Sequence, residues 1–200
     1  MKLHAIGRVA VALMALFAGV AAGRTAPLHG AAAPTEPTAT THHTATAQGS
    51  LIYLVRHAET DGEQAMDPRN PPLSEAGAAR AAALARTLAD AGLTSIHSTD
   101  LQRTRSTAAP VAAATGLEVE LYDPFDQSAM TTLLERLTTG GGRHLIVGHS
   151  NTTPALVEAL GGDPVSEIPE TEYDRLYVVS VAAGGEVVST LLRYGAPSGE

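Results

Sequence analysis

Two histidines stand at the ends of apolar runs, in surroundings suited to the chemistry of anionic substrates. The run 51–55 is followed by Arg56 and His57, and the run 145–148 is followed by His149. An arginine offers an oxyanion a rigid fork of donors, and a histidine is largely neutral near pH 7 and can act as a nucleophile. In open α/β sheets ligands bind beyond the carboxyl ends of the strands. If the two runs are neighbouring parallel strands, both imidazoles therefore face one pocket.

A third segment, 98–103, passes from a short strand into the first turn of a helix and carries Arg103. The N-terminus of a helix attracts anions through its free N–H groups and its dipole. Two arginines, two histidines and these N–H groups suit a phosphoryl group, because they neutralise its oxygens while one histidine attacks phosphorus. Such a site needs no acidic cluster for Mg²⁺. Arg105 is expected to be a surface residue or an ion-pair partner.

The segments 56–60, 98–108 and 148–152 resemble the three signature blocks of the histidine phosphatase superfamily, in the branch with phosphoglycerate mutases and small phosphatases. The resemblance implies that His57 is the nucleophile that carries the phosphoryl group. It also implies a phosphate pocket of Arg56, Arg103 and His149, a three-layer α/β/α sandwich, and no metal or organic cofactor.

Some residues depart from the family pattern. Ala58 follows His57 where the family's mutases have glycine, and the chain has no Trp, which favours a phosphatase over a mutase. Ser150 follows His149, so the His-Asp pair of the phytase branch is missing. The mutase-like branch takes its proton donor from a glutamate in the loop after the third strand. The matching loop offers Asp123 and Asp126 as the possible general acid.

Helical and strand patterns alternate along the chain, which predicts an α/β fold with a mostly parallel sheet covered on both faces. The C-terminal segments 175–181 and 186–194 predict an antiparallel hairpin. Pro110 is expected to kink or divide the second helix. Residues 172–174 are interpreted as a solvated loop. Ser150 and Asn151 are expected either to donate to a bound phosphate or to cap the following helix.

The N-terminus predicts export. Residues 1–23 have a basic start, an apolar run and small residues, as in a secretory signal peptide. Residues 24–49 lack apolar periodicity and predict a disordered linker, so 50–200 is the predicted catalytic domain. We therefore expect a secreted or periplasmic protein without stable membrane insertion after cleavage, with an uncleaved anchor as the alternative. The net charge of −8 argues against nucleic acid as a partner.

The leading hypothesis is a metal-independent phosphomonoesterase that forms phosphohistidine on His57 and acts on a small phosphorylated substrate or a phosphopeptide. Ser150 joins Arg56, Arg103 and His149 as a candidate substrate-binding residue. A phosphoglycerate mutase-like phosphotransferase and a non-catalytic phospholigand-binding protein are alternatives. A serine hydrolase at Ser150 is disfavoured, because Thr152 stands where the second glycine of G-x-S-x-G belongs.

Overall fold

The computed structural model describes residues 49–199, so the predicted signal peptide and nearly all of the predicted linker lie outside the described residues. The domain alternates strands and helices in chain order. Its elements are β1 (Ser50–Arg56), α1 (Glu75–Thr87), β2 (Ser95–Ser98), α2 (Gln102–Thr115), β3 (Val119–Leu121), α3 (Gln127–Thr139), β4 (Gly142–Gly148), α4 (Thr152–Ala159), β5 (Arg175–Val181) and β6 (Val187–Arg193).

The strands form one six-stranded sheet in the order β3-β2-β4-β1-β5-β6. β1 and β4 are parallel neighbours, and their register pairs Arg56 with Gly148. β5 runs antiparallel to both β1 and β6. The predicted fold is therefore confirmed: a mostly parallel α/β sheet with a C-terminal antiparallel hairpin. The β1–β4 pairing also brings the ends of the two histidine-bearing strands to one edge.

The sheet is covered on both faces, because its central strands are apolar on both sides. On one face Ile52, Leu54 and Ile146 pack with side chains of α3 and α4. On the other face Val55 and Val147 pack with side chains of α1 and α2. Successive strand residues point to opposite faces, so this alternation produces the three layers.

One helix differs from expectation. α2 runs unbroken through Pro110, so the predicted division at that proline is wrong. α1 ends at Thr87, and Gly92 follows in a left-handed turn with φ of +64°. Between residues 49 and 199, no helix is both long enough and apolar enough to cross a membrane.

Candidate active site

Arg56 and His57 lie at the carboxyl end of β1 and are nearly inaccessible, with 3% and 6% of their surface exposed. The Arg56 guanidinium is anchored by Nη1, which donates to the carbonyl oxygens of Pro169 at 2.8 Å and Glu172 at 3.3 Å. The Arg56 Cζ atom lies over the Tyr173 ring, 4.3 Å from its centre. Arg56 Nε is buried and has no hydrogen-bond partner among the described residues, so an N–H donor is available to an oxyanion.

The tautomer of His57 follows from its neighbour. Nδ1 lies 2.9 Å from the carbonyl oxygen of Ala58. A carbonyl can only accept, so Nδ1 carries the proton and Nε2 keeps its lone pair. The Ala58 N–H in turn donates to Thr107 Oγ1 at 2.9 Å, and the Thr107 hydroxyl donates to the backbone carbonyl oxygen of Arg103 at 2.8 Å. Thr107 therefore fixes the loop after β1 against α2 and holds His57 with Nε2 as the free nucleophilic atom.

The second histidine lies beside the first. The ring centres of His57 and His149 are 5.4 Å apart, with the planes inclined at 65°. His149 Nε2 lies 2.9 Å from Thr99 Oγ1, and the His149 N–H donates to Thr152 Oγ1 at 3.0 Å. The loops after β1, β2 and β4 thus converge at this edge of the sheet, as the sequence predicts.

Burial and, to a smaller extent, the positive charge of Arg56 lower the pKa of His57 from 6.5 to about 3, although the hydrogen bond to Ala58 acts in the opposite direction. Burial also lowers the pKa of His149 to about 4, with the charges of Arg103 and Arg56 acting in the same direction. Both rings are therefore neutral at neutral pH, which is the state that a nucleophilic imidazole requires.

These two pKa values predict a pH dependence of stability. Between pH 6.5 and the folded pKa values, the unfolded chain binds protons that the folded chain does not, so lowering the pH favours unfolding. We expect the free energy of unfolding to fall as the pH drops from about 7 to about 5, with a contribution of up to about one proton per histidine. In His57→Asn the fall should be shallower, as measured by urea denaturation at each pH. Equal slopes for the two proteins would contradict the burial argument.

Arg103 completes the cationic part of the site. It lies near the start of α2 and is half-buried, and Nη1 donates to the carbonyl oxygen of Arg69 at 3.1 Å. Burial lowers its pKa, and the charge of Arg56 lowers it further, so the two guanidinium groups are close enough to repel each other. A dianion between them would relieve this repulsion. Arg105 is exposed and donates to Asp100 at 3.0 Å, as an ion-pair partner away from the histidines.

The first helical N–H group of α2 is already occupied. The N–H of Gln102 donates to Asn70 Oδ1 at 2.7 Å. The expectation that this N–H helps to bind the anion is therefore not met, because the loop before α1 supplies the capping oxygen. This contact could not be predicted from local sequence, because Asn70 lies 32 residues before Gln102.

Sequence reasoning also missed a carboxylate, Glu170, at the rim of the site. It pairs with Arg56 Nη2 and accepts a hydrogen bond from Ser150 Oγ at 2.8 Å, although 76% of its side chain is exposed. The Ser150 hydrogen bond, followed by the Arg56 charge and hydrogen bond, lowers the pKa of this carboxyl. Ser150 therefore donates to Glu170, a carboxylate that would compete with phosphate for Arg56.

Removal of the Glu170 charge is expected to strengthen anion binding. A phosphate dianion and the Glu170 carboxylate compete for Arg56, so Glu170→Gln should bind orthophosphate about fivefold more tightly in calorimetry, the scale of a largely exposed ion pair. Glu167→Gln is the matched control, because Glu167 is exposed on the same loop. Weaker binding in Glu170→Gln would mean instead that the carboxylate positions Arg56.

The two candidate acids have different surroundings. Asp126 is the N-cap of α3 and accepts from the N–H groups of Ser128 and Ala129. Asp123 lines the same cleft as His149, and its carboxylate accepts from the N–H of Phe125 at 2.9 Å. Of the two, Asp123 is the one placed beside the site.

Residues 172–174 are not the solvated loop that the sequence suggested. Glu172 and Asp174 are buried and form ion pairs with Arg193, and Glu172 also pairs with Arg175. Tyr173 lies 6.2 Å from His57, measured between ring centres. The acidic residues are buried because the hairpin arginines neutralise them, and this packing holds the carbonyl groups that anchor Arg56. Within residues 49–199, no group of three or more His, Cys, Asp or Glu side chains is arranged to hold a metal ion.

Comparison with known proteins agrees with this site. The family model for the histidine phosphatase superfamily (branch 1) matches residues 52–127, a stretch that includes Arg56, His57 and Arg103. This match supports a relationship between residues 52–127 and the histidine phosphatase superfamily.

Two curated relatives share part of the sequence. An uncharacterized protein of Mycobacterium tuberculosis is 36% identical over 94 residues, which cover 46% of this chain and 46% of that protein. The probable phosphoglycerate mutase GpmB of Serratia proteamaculans is 38% identical over 90 residues, which cover 43% of this chain and 41% of that protein. The matched segment thus spans about half the length of each relative or less.

Among solved structures, the protein histidine phosphatase SixA complexed with tungstate superimposes with a TM-score of 0.58 at 18% identity. The match covers 74% of this chain and 97% of that chain. At this level of identity the similarity supports the fold alone.

Proposed function

We propose that the protein is a metal-independent phosphomonoesterase that works through a phosphohistidine on His57. The observation that carries the proposal is the state of this ring: Nδ1–H donates to Ala58, burial lowers its pKa to about 3, and Nε2 is left as a neutral nucleophile. Arg56, Arg103 and His149 surround it with donors for phosphoryl oxygens. The match to the superfamily supports a phosphatase or mutase reaction. Ala58, which stands where the family's mutases have glycine, favours the phosphatase.

The proposed reaction has two steps. The Nε2 lone pair of His57 forms a bond to phosphorus while the bond from phosphorus to the alcohol oxygen breaks, and Asp123 gives that oxygen its proton. The Nδ1–H of the now positive ring is stabilised by the Ala58 carbonyl oxygen. Water then attacks phosphorus, returns a proton to Asp123 and breaks the P–N bond, which releases inorganic phosphate.

The arginines stabilise the transition state. Charge on the three equatorial oxygens spreads during phosphoryl transfer, and fixed cationic donors lower the barrier by meeting that charge without reorganisation. Arg56 is fixed by two carbonyl groups and by stacking on Tyr173. His149 is held by Thr99 and adds a further polar ring atom to the pocket. Ser150 is proposed to contact phosphate once Glu170 is displaced.

A mutase-like phosphotransferase is the second candidate, favoured by the identity shared with the probable phosphoglycerate mutase. Both reactions share the phosphoenzyme and differ in whether water or a second hydroxyl group receives the phosphoryl group. A non-catalytic phospholigand-binding protein remains the third, and burst release of alcohol from an aryl phosphate would exclude it.

The test is a substrate panel in the presence of EDTA, with phosphohistidine peptide, 3-phosphoglycerate, p-nitrophenyl phosphate and an alkyl phosphate. We expect release of orthophosphate without added metal. Asp123→Asn should slow the alkyl phosphate more than p-nitrophenyl phosphate, because p-nitrophenolate leaves without a proton. Asp126→Asn is the matched control for this comparison. Transfer to added glycerate in place of phosphate release would favour the mutase, and absence of turnover over the panel would overturn the proposal.

We also propose that the protein is exported, on the composition of residues 1–23. Mass spectrometry of the N-terminus of the protein recovered from the periplasm or the medium tests this. A mature chain that begins near residue 24 would support it, and a full-length chain confined to the cytoplasm would contradict it.

A further inference from the structure

A cleft of about 490 Å³ opens beside His149, between the start of α2 and the loop that joins β3 to α3. Its volume lies within the range of small-molecule sites. His149 itself lines the cleft and its ring centre lies 5.4 Å from that of His57, so the cleft adjoins the pocket around His57. A phosphomonoester bound there would extend its alcohol part along one of the walls that adjoin the pocket.

One wall of this cleft is apolar. It consists of Leu101, Leu121, Pro124 and Phe125, called the apolar wall below. Phe125 is 86% exposed and Leu121 is 52% exposed, which is unusual for large apolar side chains that lie next to each other. The Asp123 carboxylate accepts from the Phe125 N–H and thereby holds the turn that presents the ring.

The charges of the cleft exclude one class of substrate. The acidic side chains that line it are Asp100 and Asp123, and its lining includes no Lys or Arg within the described part of the chain. Arg105 neutralises Asp100 from outside, whereas Asp123 contacts a backbone N–H group. An alcohol part with a carboxylate or a second phosphate would meet an acid there and find no cation.

We infer that the apolar wall is the binding site for the leaving group, and that the substrate is a phosphomonoester of an uncharged apolar alcohol, aromatic or branched. This inference rests on the proposed phosphoryl pocket, and it narrows the substrate class within the proposed function. An aromatic ring stacked on Phe125 buries surface that is otherwise exposed to water. Anionic alcohols such as glycerate are disfavoured, because no Lys or Arg lines the cleft within the described residues.

Binding of non-hydrolysable phosphonates tests the inference without requiring turnover. Calorimetry on the full chain should show benzylphosphonate binding about tenfold more tightly than methylphosphonate, the usual scale for one apolar group in a pocket. In Phe125→Ala this preference should disappear while the affinity for methylphosphonate is unchanged. Leu192→Ala is the control, because Leu192 is a large apolar residue on β6 that is also exposed, to 48%, and does not line the cleft. Equal affinities for the two ligands in the wild type would overturn the inference.

Turnover gives the second arm. Benzyl phosphate should exceed 4-carboxybenzyl phosphate in kcat/KM by about tenfold, since the carboxylate lies far from the ester oxygen and finds no cation in the lining of the cleft. A preference for the carboxylated ester would overturn the inference while leaving the proposed function intact. Phosphonate discrimination without any turnover would support the leaving-group site and overturn the proposed hydrolysis. If neither phosphonate binds, both the inference and the proposed function are overturned.

Discussion

Replacement of His57 by asparagine is expected to lower kcat by about 10⁴-fold or more, because the nucleophile and the covalent intermediate are both lost. The amide of asparagine is close in size to the imidazole but has no nucleophilic lone pair. The wild type, mixed with substrate and quenched in alkali, should gain the mass of one phosphoryl group on the peptide that contains His57. His57→Asn should show no such gain.

His149→Asn is the informative control for this experiment. It removes a ring whose centre lies 5.4 Å from that of His57 and leaves the Nδ1–H contact to Ala58 in place. We expect slower formation of the phosphoenzyme, with the label still on His57. A label on His149 in the wild type, or full activity in His57→Asn, would refute the assignment of the nucleophile.

Replacement of Arg103 by alanine is expected to lower kcat/KM by about 10²- to 10³-fold, the loss typical of one fixed donor to a developing charge. The chain provides its own control in Arg105, which has the same side chain on the same helix but pairs with Asp100 in solvent. Arg105→Ala should change kcat/KM by less than about twofold, because exposed ion pairs contribute little. Steady-state kinetics with one aryl phosphate suffices for both variants.

A third variant separates charge from geometry. Arg103→Lys keeps the positive charge but loses the planar fork, so its activity should lie between those of the wild type and Arg103→Ala. If Arg103→Ala and Arg105→Ala lose activity equally, the start of α2 acts through stability rather than through contact with phosphate. A comparison of the urea midpoints of the two variants would then show that loss directly.

The sheet and the meeting of the two histidines could be predicted because local patterns determine them. Two continuous apolar runs, which are typical of strands buried on both faces, end just before Arg56-His57 and His149. Because these strands alternate with helices along the chain, they are expected to lie parallel in one sheet. Thr107 and Ala58 also belong to the predicted blocks, although the hydrogen bond between them was not itself predicted. These features depend on short stretches of chain whose residue types can be recognised from the local sequence alone.

The residues that the sequence left hidden act across long separations. Glu170 meets Arg56 over 114 positions and Asn70 caps α2 over 32, and nothing local to either residue indicates its partner. Burial of Glu172 was unpredictable for the same reason, because its neutralising partner Arg193 follows 21 residues later. At Pro110 the local sequence was misleading in itself. The proline favours a division of the helix, but α2 continues through it, because the packing of the whole helix outweighs the helix-breaking tendency of one residue.

The strand order has a consequence for how motion is distributed over the site. β1 and β4 are central strands, paired on both edges, so their amide protons should exchange with solvent only when the whole domain opens. His57 and His149 extend from these two strands. Glu170 and Phe125 instead lie on surface loops, whose amides should exchange through local fluctuations. We therefore expect His57, the proposed nucleophile, to follow a slowly exchanging strand, and Glu170 and Phe125 to lie on faster-exchanging loops. Substitutions in these loops could then change the substrate preference without disturbing the strands that carry the two histidines.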